Sequence, residues 1–254
     1  MTASARLDLF ALPGFPLIRP GDDLAELIVE GVTRADQQLR PSDIVVIAQK
    51  IVSKAENRVV DLGTIEPSAA ARELATEIGK DPRLVHVILS ESRRIVRKRG
   101  NLLIMQHRLG FVMANAGVDH SNVAAGEQVL LLPADPDASA AGIRAHLSRL
   151  TGVAPAVVIT DSFGRPWRRG SCGVAIGAAG LPALVDMRGM PDLFGRKLEV
   201  TQVGLADEVA AAASLLQGQA DEGQPVVILR GLYCSAPEAP AAALVRPEQE
   251  DLFR

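Results

Sequence analysis

Two short stretches of this chain place oxygen-bearing side chains at the polar end of an apolar run. Phe111-Val112-Met113-Ala114 leads into Asn115-Ala116-Gly117-Val118-Asp119-His120-Ser121-Asn122. Ala156-Val157-Val158-Ile159 leads into Thr160-Asp161-Ser162-Phe163-Gly164-Arg165. Such ends let a sheet hold ligands rigidly while the adjoining loop bends around a substrate. Two carboxylates 4 Å apart repel by about 4 kcal/mol at an effective dielectric of roughly 20. A divalent cation between them converts that repulsion into a site. Hard cations take carboxylate oxygens together with substrate phosphates, so Asp119 with Asn122, and Asp161 with Ser162, point to metal-dependent chemistry on phosphates. Either segment alone reads more readily as ordinary turn chemistry; the two together are more telling, because each offers one oxygen ligand followed by a second.

Other groups with chemical potential lie nearby in the sequence. Lys50 and Lys54 follow an apolar run and suit phosphate oxygens as compact ammonium charges, or else are solvated. Arg165, Arg168 and Arg169 flank the only tryptophan, Trp167, directly after Asp161, and could clamp a phosphoryl or carboxylate group. Trp167 also fits the part of a loop anchor. Arg93, Arg94, Arg97, Lys98 and Arg99 form a local basic cluster, readable as a solvated helix face or as a surface for an anionic substrate. His86, His107, His120 and His146 share no metal-ligand spacing, and only His120 neighbours a candidate carboxylate.

The elements that must position these groups are legible in outline. Asp23 with Glu26 resembles a capping box opening a helix towards Leu39. Asp43 to Ala48 is a β-branched run expected as a buried strand that delivers Gln49 to Lys54 at its end. Pro67-Ser68 opens a helix ending near Gly79, and Leu84 to Leu89 reads as a strand. Leu102 to Met105 and Phe111 to Ala114 form an expected hairpin across His107-Arg108-Leu109-Gly110. A strand over Gln128 to Leu132 follows. Asp135 then caps a helix with Pro136 at its first position and an apolar face of Ile143, Leu147 and Leu150. A strand ends at Ile159, before a glycine-rich stretch from Gly164 to Gly195. A helix is expected from about Ala206 to Leu216, a last strand over Pro225 to Leu229, and a loose arm from Ala236 onward. Irregular alternation with a hairpin argues for a mixed α+β fold, largely antiparallel, in one domain spanning 1–254.

Composition narrows the function classes. A net charge of −3 supplies no field for nucleic acid, and 3% aromatic content argues against base-stacking platforms. Cys172 and Cys234 form neither a disulfide framework nor a metal motif, so a reduced, cytoplasmic protein is expected, with no signal peptide and no membrane span. There is no GxxxxGK[ST], no GxGxxG after a strand and no GxSxG elbow, so any nucleotide must be held by a less common arrangement.

Five blocks in order carry a family resemblance. They are Phe15-Pro16-Leu17-Ile18 with Pro20-Gly21-Asp22-Asp23-Leu24; Gln49-Lys50-Ile51-Val52-Ser53-Lys54-Ala55-Glu56; Ala114 to Asn122; Thr160 to Arg168; and Pro225 to Gly231. Over roughly residues 10 to 232 the chain resembles the coenzyme F420:L-glutamate ligases, the γ-glutamyl ligases that complete a deazaflavin cofactor. The resemblance implies GTP as co-substrate, two divalent cations (Mg²⁺ or Mn²⁺) and K⁺. It implies an acyl-phosphate route joining L-glutamate to a deazaflavin coenzyme precursor, with later glutamates joined by γ-linkage. Residue by residue, it implies Asp119, Asp161, Ser162 and Gln219 as metal ligands, and Asp119, Asp161 and Arg165 as catalytic. Nucleotide-contacting positions would be Phe15, Pro16, Leu17, Ile18, Gln49, Lys50, Lys54 and Asn122, with Gln217, Gly218, Gln219 and Ala220. An intertwined homodimer is also implied. The flavin-reductase-like C-terminal domain of some relatives is expected to be missing. A metal-dependent phosphohydrolase using the same aspartates is the competing reading, and a nucleotide-binding assembly protein a third.

Overall fold

The computed structural model describes residues 6–121 and 126–251. Its elements in chain order are β1 (Asp8–Ala11), α1 (Leu24–Arg34), β2 (Ile44–Ala48), α2 (Gln49–Ala55), β3 (Val59–Asp61), α3 (Ala69–Ile78), α4 (Pro82–Ser90), β4 (Ser92–Arg99) and β5 (Leu102–His107). There follow β6 (Val112–Ala114), β7 (Gln128–Leu130), α5 (Pro136–Thr151), β8 (Ala156–Arg165), β9 (Arg168–Ala179), β10 (Val185–Asp186), β11 (Gln202–Val203), α6 (Leu205–Gln217) and β12 (Val226–Arg230).

The central sheet runs β1-β12-β2-β8-β9. Its pairs are antiparallel except β2 with β8, which run parallel with Ala48 opposite Thr160. Ile44 to Ile47 and Ala156 to Ile159 are apolar without alternation because both faces of the sheet are covered. Val45, Ile47, Val157 and Ile159 meet residues of α1, α2 and α5, whereas Ile44, Val46, Ala156 and Val158 meet α6. A third cluster joins α3 and α4 to β5, β7 and the turn before Asp119. The fold is thus mixed α+β with mostly antiparallel sheets.

β9 kinks where its register with β8 slips between Ile159 and Thr160. Acidic groups in the first turns of two helices bind the backbone around that slip. Asp207 accepts from Ala175 N–H at 2.9 Å, and Asp137 from Ala178 N–H at 2.8 Å. Gly177 lets the start of α5 close on the strand, since a Cβ there would lie 2.3 Å from the Pro136 carbonyl oxygen.

Caps at Asp23, Ser68 and Asp135 open α1, α3 and α5 as their sequences predict. Several expectations need correction. Residues 84–89 are helical within α4, because Asp81 caps and Pro82 occupies the first turn. Residues 49–54 are helical in α2. α1 stops at Arg34, with left-handed Asp36 beyond it, short of Leu39. β8 continues through Asp161 to Arg165, and much of the glycine-rich stretch is its hairpin partner β9. The basic cluster is strand β4, not a helix face. On α5, Leu147 is fully buried but Leu150 is exposed. The C-terminal arm is tied down in part: Ala241 is fully buried, and Asp137 accepts from the N–H groups of Ala241 and Ala242.

Candidate functional site

The parallel pairing of β2 and β8 decides what meets at one end of the sheet. With Ala48 beside Thr160, the next residue on each strand is Gln49 and Asp161. Gln49 opens α2, so Lys50, Ser53 and Lys54 emerge at the carboxyl end of β2, where open sheets commonly bind ligands. Gln49 and Ser53 are buried, and Ser53 Oγ donates to Gln49 Oε1 at 2.9 Å. That leaves the Gln49 amide to donate to Asp161.

Asp119 reaches this end from another direction. Asn115, Ala116 and Gly117 take φ of 50, 53 and 71° in succession, a turn unusual for non-glycine residues. The chain then pairs Asp119 with Leu130, through N–H to carbonyl bonds of 3.1 and 2.8 Å. The Asp119 carboxylate accepts from Ser121 N–H at 2.8 Å and Ser121 Oγ at 2.7 Å, and pairs with Lys50 Nζ at 2.7 Å. Lys50 also bonds Ser121 Oγ.

The two aspartates sit in opposite electrostatic situations. Burial works against ionisation of Asp119, but hydrogen bonds from Lys50 and Ser121 outweigh it and hold the carboxyl below the usual range. Burial dominates at Asp161 and pushes its carboxyl up to about 6; the Asp119 charge adds to this, while Ser162 N–H, Lys50 and Gln49 oppose it. Asp119 and Asp161 therefore feel one another, with the Lys50 charge acting on both. Burial, followed by the Lys50 charge one helical turn away, lowers Lys54. Further along β8, Ser162 Oγ donates to Gln219 Oε1 at 2.8 Å, and Ser171 Oγ on β9 lies 3.5 Å from the same oxygen.

The carboxylates of Asp119 and Asp161, and separately the Ser162 hydroxyl with the Gln219 amide oxygen, are oxygen donors of the kind a hard cation takes together with phosphate. Among the described residues no group of three His, Cys, Asp or Glu side chains gathers anywhere, so no all-protein carboxylate cage is present. The fit is to a cation that arrives with its substrate.

Comparison with known proteins shows the family. A family described as F420-0:Gamma-glutamyl ligase matches residues 14–231. Coenzyme F420:L-glutamate ligase from Methanothermobacter thermautotrophicus is 46% identical over 98% of this chain and 99% of its own length. Its namesake from Methanopyrus kandleri is 50% identical over 93% of each chain. The one from Archaeoglobus fulgidus is 43% identical over 98% of this chain and 97% of its own. The chain belongs to the F420-0:γ-glutamyl ligase family.

In this γ-glutamyl ligase chain the other expected site residues are dispersed. Phe15 and Ile18 pack into the core beside α1, while Pro16 and Leu17 are exposed. Their loop is joined to the end of α2 by the Gly21 N–H to Ala55 carbonyl bond of 2.9 Å. Gln217 closes α6 and donates to the Pro225 carbonyl at 3.2 Å. Gly218 takes φ 72° at the helix end, and Ala220 N–H donates to Glu222 at 2.8 Å. Arg165 ends β8 with a buried, unpaired Nη1, and Trp167 is exposed at the hairpin tip. Asn122 lies outside the described residues. Sequence reasoning gave no part to Ser53 as the group that orients Gln49, or to Ser171 beside Gln219. The first signal was available: Ser53 is four residues after Gln49, which is one turn once that segment is read as a helix.

Proposed function

We propose that this protein is a GTP-dependent ligase that joins L-glutamate to the carboxylate of a deazaflavin coenzyme precursor and then extends the tail by γ-linkage. The γ-phosphoryl group passes from GTP to the acceptor carboxylate. The bond from Pγ to the β-phosphate bridging oxygen breaks, a Pγ–carboxylate bond forms, and GDP leaves. The glutamate amine then attacks the acyl carbon, its C–N bond replaces the C–O bond, phosphate departs and the amine loses a proton. Holding amine and acyl phosphate together supplies the effective concentration that lets amide formation outrun hydrolysis.

The observation that carries the reading is the meeting of Asp119, Asp161 and Lys50 at the end of the parallel strand pair β2 and β8 of the central sheet. Asp119, Asp161, Ser162 and Gln219 would hold divalent cations, which when bound offset the phosphate charge that repels an incoming carboxylate. Lys50 and Lys54 face the same region and neutralise phosphate. Arg165, Arg168 and Arg169 lie along the hairpin that leaves the site and suit the acceptor's anionic groups. Exposed Leu193, Phe194 and Val200 fit a homodimer, which light scattering would test. Among the described residues no helix is long and apolar enough to cross a membrane.

Incubation with GTP, MgCl₂ or MnCl₂, L-glutamate and the glutamate-free precursor should give a glutamylated product by mass spectrometry, with repeated turnover of GTP to GDP and phosphate only when precursor and glutamate are both present. Asp161→Asn should abolish that product while leaving the far-ultraviolet circular dichroism unchanged. Phosphate release independent of the acceptors would instead assign a phosphohydrolase.

A further inference from the structure

None of the side chains gathered around Asp119 and Asp161 comes from β4, although Ser92–Arg99 holds the densest positive charge in the chain. β4 is an edge strand of the sheet β4-β5-β6. In that sheet Arg97 lies opposite Ile104, which lies opposite Ala114; Arg99 lies opposite Leu102. Cross-strand partners share a face, and successive residues alternate. Leu103, Met105 and Met113 point into the core, with 0, 0 and 5% exposure. Arg97, Arg99, Leu102, Ile104 and Ala114 therefore share the outward face, and Leu102 is 46% exposed on it.

On this face Arg97 and Arg99 have no ion-pair partner among the described residues. Lys98, on the inward side, pairs with Glu77, and at the far end Arg94 bonds Gln106 and comes within 4.0 Å of Glu248. Among the described residues Arg93, Arg97 and Arg99 have no carboxylate within ion-pair distance, and β4 to β6 contain no acidic residue. The face also leads to the site. Strands lie about 4.8 Å apart, so the Arg97 backbone is about 10 Å from Ala114. Ala114 is followed directly by the left-handed turn that delivers Asp119.

Resting on the ligase reading above, we propose that the outward face of β4–β6 holds the carboxylate-bearing γ-glutamyl tail of the acceptor. Arg97 and Arg99 take its carboxylates, and Leu102 and Ile104 form the floor beneath its methylenes. A glutamate joined through its side-chain carboxyl keeps its α-carboxylate free. Each addition thus adds one negative charge behind the reacting end, and a guanidinium fork matches such a group. Acceptor affinity consequently rises with tail length, in a salt-dependent way.

The test is Arg97→Ser with Arg99→Ser, assayed on acceptors carrying no glutamate and one glutamate, at low and high NaCl. Two solvent-exposed pairs correspond to about a three- to tenfold change. The double variant should raise KM for the monoglutamylated acceptor by that factor with kcat retained, and change KM for the glutamate-free acceptor by less than twofold. Calorimetric titration of the monoglutamylated acceptor, without GTP or metal, should show the same loss, and the wild-type advantage should fade at high salt. Equal KM values for variant and wild type, or equal increases for both acceptors, would overturn the proposal. A variant that loses a dimer by light scattering would assign the face to contact between copies and overturn it too. A wild-type protein that incorporates no glutamate would refute the ligase reading itself, a separate result.

Discussion

Glu91 offers a quantitative test of what holds Asp119 in place. It directly follows α4, and its side chain is only 12% exposed. Its Oε2 accepts from Arg58 at 3.0 Å and Arg108 at 3.2 Å, with His107 Nε2 at 3.5 Å. His107 is fully buried, and its Nδ1 accepts from Leu109 N–H at 3.0 Å, which puts the ring proton on Nε2, facing Glu91. The two arginines continue outward: Arg58 Nε donates to the Leu132 carbonyl at 2.9 Å and Arg108 Nη1 to that of Ala134 at 3.0 Å. One carboxylate thus ties the end of α4 and the β5–β6 turn to the stretch whose Leu130 pairs with Asp119.

Burial opposes the Glu91 charge, but the facing His107 ring N–H and the Arg58 and Arg108 guanidinium groups outweigh it and bring the carboxyl from 4.5 down to about 2. At about 1.4 kcal/mol per tenfold this is roughly 3 kcal/mol of folding stability. Because the folded value is depressed, that stability is fully present above about pH 4.5 and drains away as pH falls towards 2. Glu91→Gln should therefore be less stable than wild type by about 3 kcal/mol at pH 7. Urea denaturation followed from pH 7 downwards should show the two proteins converging between pH 4.5 and 2. Curves that stay parallel through this window would refute the assignment of Glu91 as an ionised hub.

Removing the buried donor beneath Asp161, by Gln49→Leu, should weaken affinity for Mn²⁺ in the presence of GTP by about 10- to 100-fold in calorimetry, with Ser53→Ala giving a smaller loss in the same direction. Unchanged affinity in both would mean that the amide does not position Asp161. Gly177→Ala should destabilise the fold by about 1–3 kcal/mol in thermal denaturation, because the new methyl meets the Pro136 carbonyl oxygen rather than a movable side chain. A wild-type melting temperature would show that α5 can retreat from β9 without cost.

Much of this architecture is legible locally. Asp23, Ser68 and Asp135 announce helices because the capping bond lies within three residues of the cap. The hairpin of β5 and β6 is legible for the same reason. The errors have local causes as well. Val85, Val87 and Ile88 suggest a strand by type, yet the Asp81-Pro82 start signal prevails and their burial comes from packing within the α3–α4 cluster. Gln49 to Ala55 gave no helix signal because Ala48 sits at the cap position with no side-chain bond.

The candidate site is a different kind of object. Asp119 and Asp161 stand out by type and by flanking glycine, but their meeting depends on two long-range choices of register. One is the parallel alignment of Ala48 with Thr160, which sets Gln49 and Lys50 beside Asp161. The other is the bridge from Asp119 to Leu130, which carries a carboxylate from the neighbouring sheets to the Lys50 ammonium. A slip of one residue in either would turn the carboxylate to the opposite face. The buried apolar strands offer no alternating pattern by which to read such a register in advance. The register is set instead by what each face of β2 and β8 must cover, α1, α2 and α5 on one side and α6 on the other. The packing of the core and the position of the charged site are therefore one constraint: a substitution that lets α5 or α6 shift on the sheet should misalign Asp161 from Lys50 without touching either.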